Sequence, residues 1–459
     1  MPSRREFLVG STGLALSLGR PAILRPHSGN NDRNQIALSL MGNRFVTHVS
    51  VISVDGVEVT RDRGIGGDVS GSNGPDRIRA RRDAFQRGSP SGRMTWGVSW
   101  RALNDERQEY RDVRSLLAKY HAEFGDEITF FVGGYFSPMF DSRRNVNRDI
   151  HEALALISQA VGGGYRPKCI IAGFMAAENQ RYLAEEEGIH VCQGQIWSQH
   201  AVDSGDGDGG VCYPYYPSRE HYLKPAQSKK DFIDCVCLDG WTCDFLAARH
   251  DGVTKEFNSR MGCGPIETVN NLGRQRGRKE MLDTTSIHFD DGFEQNGFSW
   301  VTAIWEVSLP VALNQDLTFW LQQIDQRWPG TKMVTEGEFG LIWRSCFKDN
   351  SHLDYQFRER GTGAPGSEEN LEIRWFMCQA FRLSLLRDWQ ANTPAKVIDF
   401  TRYDVPAKEP QGPQREWSLM NVINQKGTRS NDQPVPLREL RAEEQRLILG
   451  RYPELKKLL

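Results

Sequence analysis

The chain has 459 residues, 39% of them hydrophobic, enough for one large domain with appendages or two medium ones around a packed core. A formal charge of -2, with acids and bases interspersed, excludes the basic footprint of a nucleic-acid-binding protein. Twelve Trp, 12 Tyr and 22 Phe supply flat apolar rings, either as core aromatics or as platforms for sugar faces.

The chain opens on SRREFLVGSTGLALSLG, with paired Arg4 and Arg5, then Phe7, Leu8 and an apolar run that carries no charge until Arg20. It resembles a twin-arginine export signal and is too short to span a bilayer; an Arg-flanked buried helix is the alternative. Residues 1–35 are therefore expected to be signal and linker, and the mature protein to be periplasmic or secreted. No other stretch is long and apolar enough for a membrane span. Nine cysteines include no CxxC pair or zinc-finger spacing, and several sit in apolar runs where small buried hydrophobes belong.

Beyond a Gly/Ser/Asp-rich segment at 64–75, short apolar runs read as strands buried on both faces: 94–100, 127–136, 168–174, 190–197, 234–241, 284–292, 298–309 and 331–343. Amphipathic stretches at 107–124, 146–161, 178–188 and 313–328 read as helices; Val113, Leu116, Leu117 and Tyr120 share one face of the first. This alternation predicts an α/β fold, a parallel (β/α)7-8 barrel (TIM-like) over 36–390. A doubly wound sheet competes, but no GxGxxG or GxxxxGK[ST] follows these strands. Residues 367–389 read as a long helix with a Ser cap, and 397–403 as a strand in a small C-terminal appendage over 391–459.

FDDG at 289–292 resembles the run that supplies a catalytic carboxylate and a metal ligand in carbohydrate deacetylases. Such enzymes pair the carboxylate with two histidines, because the metal must polarise an acyl carbonyl and activate water. The ten histidines here form no HxxxH or HxxH, and this FDDG falls on the sixth expected strand instead of the first. EITFFVGGYF and YRPKCIIAGFMAAENQRYLAEEEGIHV also resemble that superfamily and imply a related (β/α)7-type barrel.

A broader resemblance rests on GDEITFFVGGYF, CYPYYPSREHYLKPAQ, DFIDCVCLDGWTCDFL, FDDGFEQNGFSWVTAIWE and EIRWFMCQAFRLSLLRD. These stretches are similar to an exported bacterial family catalogued as domains of unknown function. The resemblance implies secretion and a carbohydrate-related setting, and it transfers no catalytic residue.

In barrel enzymes the active site gathers at the C-terminal strand ends. Glycoside hydrolysis needs two carboxyl groups there, about 5 Å apart for retention or about 6.5 to 9.5 Å for inversion. The candidates are Asp239, Asp291, Glu306 and Glu338, with Trp241, His200, His288 and Glu336 as substrate contacts. Glu336 and Glu338 would share one face of a strand, and Glu306 follows Trp305, an apolar setting that raises a carboxyl pKa. Buried acids also serve structural pairs, so each has a plain alternative. Asp203, Asp206 and Asp208 in a Gly-rich loop have spacing that suits calcium, although a solvated Asp/Gly turn explains them as well.

The expected function is an exported glycoside hydrolase acting on a poly- or oligosaccharide, with no cofactor required and calcium only as an optional ligand of the Gly-rich loop. A metal-dependent carbohydrate deacetylase, using His200 or His288 with aspartates, is the alternative enzyme. A non-catalytic sugar-binding barrel is the third reading, since fold alone does not decide chemistry.

Overall fold

The computed structural model of the chain describes residues 38–197, 209–248, 261–264, 266–414, 417–419, 423 and 434–459. The expected export signal, and His200, Asp203, Asp206 and Asp208, lie outside the described residues. No helix among those described is long and apolar enough to cross a membrane. All nine cysteines are free, and all but Cys346 are buried, as small hydrophobes in apolar runs should be.

Strand β1 (Arg44–Ile52) organises the fold. Its sequence RFVTHVSVI is buried at every position after Arg44, as a strand covered on both faces requires. After it, β2 (Asp55–Thr60) and β3 (Arg63–Asp68) form an antiparallel hairpin. On one side β1 then runs parallel to β9 (Ser299–Glu306), from Arg44 beside Ser299 to Val51 beside Glu306. On the other it pairs first with β10 (Lys332–Val334) and then with β4 (Thr95–Val98), which carries the sheet on to β5 (Glu127–Phe130). A second parallel sheet holds β6 (Ile170–Ile171), β7 (Val191–Gln195) and β8 (Val236–Asp239).

The two sheets touch through one parallel bridge, Phe131 with Ile171, and one antiparallel bridge, Trp241 with Ala303. Among the described residues the ladder does not close, which corrects the expected (β/α)7-8 barrel to two parallel sheets, of five and three strands. The ladder is open at two joints: between β5 and β6, where β6 is only two residues long, and between β8 and β9, where Trp241–Ala303 is an isolated bridge.

The helices at 108–124, 143–161, 177–185 and 314–327 lie where the apolar spacing predicts. Gln108–Phe124 buries Tyr110, Val113, Leu117 and Tyr120 and stops at Gly125, whose φ of 73° only glycine adopts without cost. Arg143–Val161 starts at Ser142, whose hydroxyl accepts from the Asn145 N–H at 3.2 Å.

Three readings are overturned. Residues 284–292 are no strand: Arg274–Phe289 is a helix, followed by a second over Asp291–Asn296. Its β-branched Thr284, Thr285 and Ile287 are all buried, and packing outweighs their preference for strands. The Thr285 hydroxyl donates to the Met281 carbonyl at 2.7 Å and accepts from Trp320 Nε1 at 2.9 Å. Residues 336–346 are a helix as well, opened by a capping box in which Thr335 and Glu338 exchange hydrogen bonds, each at 3.2 Å. Finally, 367–389 is a hairpin within an antiparallel sheet of β11 (Asp354–Arg360), β12 (Leu371–Cys378), β13 (Phe381–Asp388), β14 (Lys396–Arg402) and β15 (Val435–Pro436). The β12–β13 turn, Gln379–Ala380, carries none of the Gly or Asn that usually marks a tight hairpin.

The Glu336–Cys346 helix crosses the N-terminal ends of the parallel strands. The Glu336 N–H donates to Thr95 Oγ1 at the start of β4, and the Gly337 N–H to Glu127 Oε2 at the start of β5. A Cβ on Gly340 would lie 2.4 Å from Val191, the first residue of β7, and Arg344 pairs with Asp234 just before β8. Phe339 enters the interior and stacks on Trp300 with ring centres 4.6 Å apart. The appendage packs beside the opposite end, where Trp375 of β12 meets Trp197, two residues past β7, at 5.1 Å.

Candidate active site at the C-terminal strand ends

Glu306 is the last residue of β9 and half-buried. Arg81, fully buried, fixes the strand end by donating to the carbonyls of Trp305 (3.3 Å) and Glu306 (3.1 Å), to Ser50 Oγ (3.1 Å) and to Asn314 Oδ1 (2.7 Å). The Glu306 carboxylate accepts the Tyr135 hydroxyl at 3.0 Å.

Tyr135 reaches that carboxylate from an unusual backbone. Its φ is 75°, a region that bulky residues seldom occupy, and it follows Gly133 and Gly134, both at positive φ. Gly173, after β6, leaves the room: a Cβ there would lie 2.6 Å from Tyr135 Cβ. The Phe174 N–H donates to the Tyr135 carbonyl at 3.0 Å and locks the turn. Backbone strain held this firmly is found where a side chain must be aimed.

Asp239 ends β8, next to β9 through the Trp241–Ala303 bridge. It is 3% exposed, and its Oδ1 accepts from the Trp197 N–H at 2.8 Å and the Trp241 N–H at 3.4 Å. Burial pushes its pKa up to about 8 in spite of these donors, so at neutral pH it is chiefly the protonated acid. Trp241 itself is buried, its indole lying against Gly264, where a Cβ would come within 2.4 Å of the ring.

The other expected site residues lie elsewhere. Glu336 is wholly buried in the interior, where burial, with the Glu127 and Asp239 carboxylates adding to it, raises its pKa to about 8 against the Thr47 hydroxyl. Glu338 caps its helix and pairs with Arg93 at 3.0 Å and Lys168 at 3.7 Å, at the sealed end of the strands. Asp291 is exposed in the first turn of the Asp291–Asn296 helix, not at a strand end. His288 is buried against Tyr213, whose hydroxyl lies 3.1 Å from its Nδ1, and burial lowers its pKa to about 3, which keeps it neutral. Of the four proposed catalytic acids, only Asp239 and Glu306 end parallel strands, β8 and β9, which meet at the Trp241–Ala303 bridge. Arg81 is not legible as a site residue, and Tyr135 reads only as one of several polar residues closing apolar runs, although the GGY run and the IAGF glycine signal the turn that aims it.

Among the described residues no group of three or more His, Cys, Asp or Glu side chains is arranged to hold a metal ion.

Residues 38–377 match the family model DUF3863, described as a domain of unknown function with a solved structure, and the chain belongs to that family. Residues 382–455 match a companion domain of unknown function, DUF3864. A crystal structure from Parabacteroides distasonis, described as a "putative glycoside hydrolase/deacetylase", is 47% identical with a TM-score of 0.85, over 92% of this chain and 100% of that one. A "probable Polysaccharide deacetylase" from Pseudomonas aeruginosa is 11% identical at a TM-score of 0.41, over 66% of this chain and 91% of that one. A GH57-type branching enzyme from Pyrococcus horikoshii is 10% identical at 0.36, over 64% and 69%. These last two are too distant to bear on function. No curated protein matches the chain.

Proposed function

We propose that the protein is an exported glycoside hydrolase acting on a poly- or oligosaccharide, with Asp239 as general acid and Glu306 as nucleophile or base. The observation that carries this reading is the placement of two acids at the ends of β8 and β9 in different surroundings. One is buried and held protonated; the other is half-buried and oriented by the Tyr135 hydroxyl. Acid and base roles on one sugar are divided in this way, by environment. The description of the Parabacteroides distasonis relative supports a carbohydrate substrate.

That description also names a deacetylase, which keeps a second enzyme in view. Incubating the mature protein with a panel of polysaccharides and aryl glycosides, followed by mass spectrometry of the products, separates the two. Shortened chains are expected. Acetate released without chain shortening, together with stoichiometric zinc in the purified protein, would replace the hydrolase reading with the deacetylase.

A further inference from the structure

The antiparallel sheet of the appendage carries a cavity of about 550 Å³, within the range of small-molecule sites. Its charged and aromatic lining includes Arg358, Glu372, Arg374, Arg387, Trp389 and Lys457, four cations against one carboxylate in a chain whose formal charge is -2.

The strand register concentrates this charge. Arg358 on β11 stands directly opposite Arg374 on β12, and Glu372, two residues from Arg374 on the same face, stands opposite Arg387 on β13. Like charges directly opposite each other destabilise a sheet. The single carboxylate is engaged by Arg358 at 2.8 Å. Among the described residues, Arg374 and Arg387 have no hydrogen-bonded or ion-paired partner. Instead each lies over a ring, Arg374 4.9 Å from the centre of Phe376 and Arg387 3.5 Å from that of Trp389. Arg387 Nε is buried without an acceptor. A guanidinium stacked on a ring is pre-set in orientation with its edge free, the geometry that takes a carboxylate or sulfate through two N–H groups.

The uncharged lining fits the rest of such a ligand. Gln295, Gln356, Asn392 and Thr393 present amides and a hydroxyl that suit sugar hydroxyls, and Asn392, at a φ of 48°, turns the 389–395 segment along the cavity.

We propose that this cavity binds an acidic saccharide, its carboxylate or sulfate ester held by Arg358, Arg374 and Arg387. The saccharide class rests on the function proposed above; the anion does not.

The test is calorimetric titration of the full chain with a trigalacturonate, a sulfated trisaccharide, a neutral trisaccharide and inorganic sulfate. It is run on the wild type, Arg374→Ala and Arg387→Ala. At least one acidic trisaccharide is expected to bind, more weakly as salt is added, and each variant to lose roughly tenfold or more in affinity, the scale of a charge-assisted hydrogen bond. Melting temperature checks the fold, and Arg374→Ala, which removes a like-charge contact, is expected to keep it or raise it. Equal binding of neutral and acidic trisaccharides, no binding of either acidic one, or acidic binding unchanged in both variants would overturn the proposal. Sulfate binding as tightly as the sugars would overturn the saccharide assignment. Turnover of an uncharged aryl glycoside, expected to be unchanged in both variants, reads the strand-end site separately, so either reading can fail without the other.

Discussion

The Tyr135 hydroxyl stands 3.0 Å from Glu306 Oε1, across 171 positions of sequence. The contact depends on a tyrosine held at positive φ and on a glycine, Gly173, that leaves space beside it. Tyr135→Phe is expected to lower kcat by on the order of 100-fold, as loss of one preorganised donor does, with little change in Tm. Gly173→Ala should lower both activity and stability, because the new Cβ meets Tyr135 at 2.6 Å. Wild-type kinetics in Tyr135→Phe would remove Tyr135 from the site.

Glu306→Gln and Asp239→Asn should each reduce turnover by roughly 100-fold or more. The pH profile assigns the roles. If Asp239 is the general acid, kcat/KM declines as pH rises through about 8, where its proton is lost. An alkaline limb unchanged in the residual activity of Asp239→Asn would show that another group carries it.

Glu336 gives a stability prediction with a fixed sign. Its folded pKa lies above its unfolded value, so between roughly pH 4.3 and 8 the folded chain holds a proton that the unfolded chain has released. Its contribution is therefore fully present below the unfolded pKa and is lost as pH rises to about 8, by at most about 1.4 kcal/mol per pH unit. Glu336→Gln should match the wild type in Tm near pH 4 and exceed it at pH 8. Parallel Tm curves for the two proteins would contradict a buried neutral Glu336.

Glu338 separates a cap from a catalyst. Glu338→Ala is expected to cost about 0.5 to 2 kcal/mol, the range for a lost helix cap, while kcat stays near the wild-type value. Abolished turnover in a stably folded variant would return Glu338 to the active site.

The sequence made the alternation of strands and helices legible wherever periodicity was clean, as in Gln108–Phe124. Where it misled, local propensity and tertiary context disagreed. TTSI at 284–287 has the β-branched content of a strand but lies buried in a helix, where packing outweighs propensity and Thr285 bonds the Met281 carbonyl one turn back and Trp320 Nε1. TEGE at 335–338 carried a capping signature that a strand reading of its apolar surroundings hid. RFVTHVSVI of β1 is strongly β-forming, but a hairpin follows it in place of a helix, so it lies outside the strand and helix alternation that marks the other parallel strands. Asp239 and Glu306 were legible as acids closing apolar runs. Tyr135 was not, since its importance lies in a backbone angle and in a glycine 38 positions away.

The helix that crosses the N-terminal strand ends divides the molecule's tolerance to change. With that end closed by Phe339, Gly340 and Arg344, substitutions there are read out as melting temperature. On the proposed function, those in the segments leaving β5, β8 and β9 should be read out as catalysis. Randomising these two groups separately and scoring each library for foldedness and for turnover would give two nearly independent landscapes, so specificity can be evolved at one end without eroding the stability held at the other.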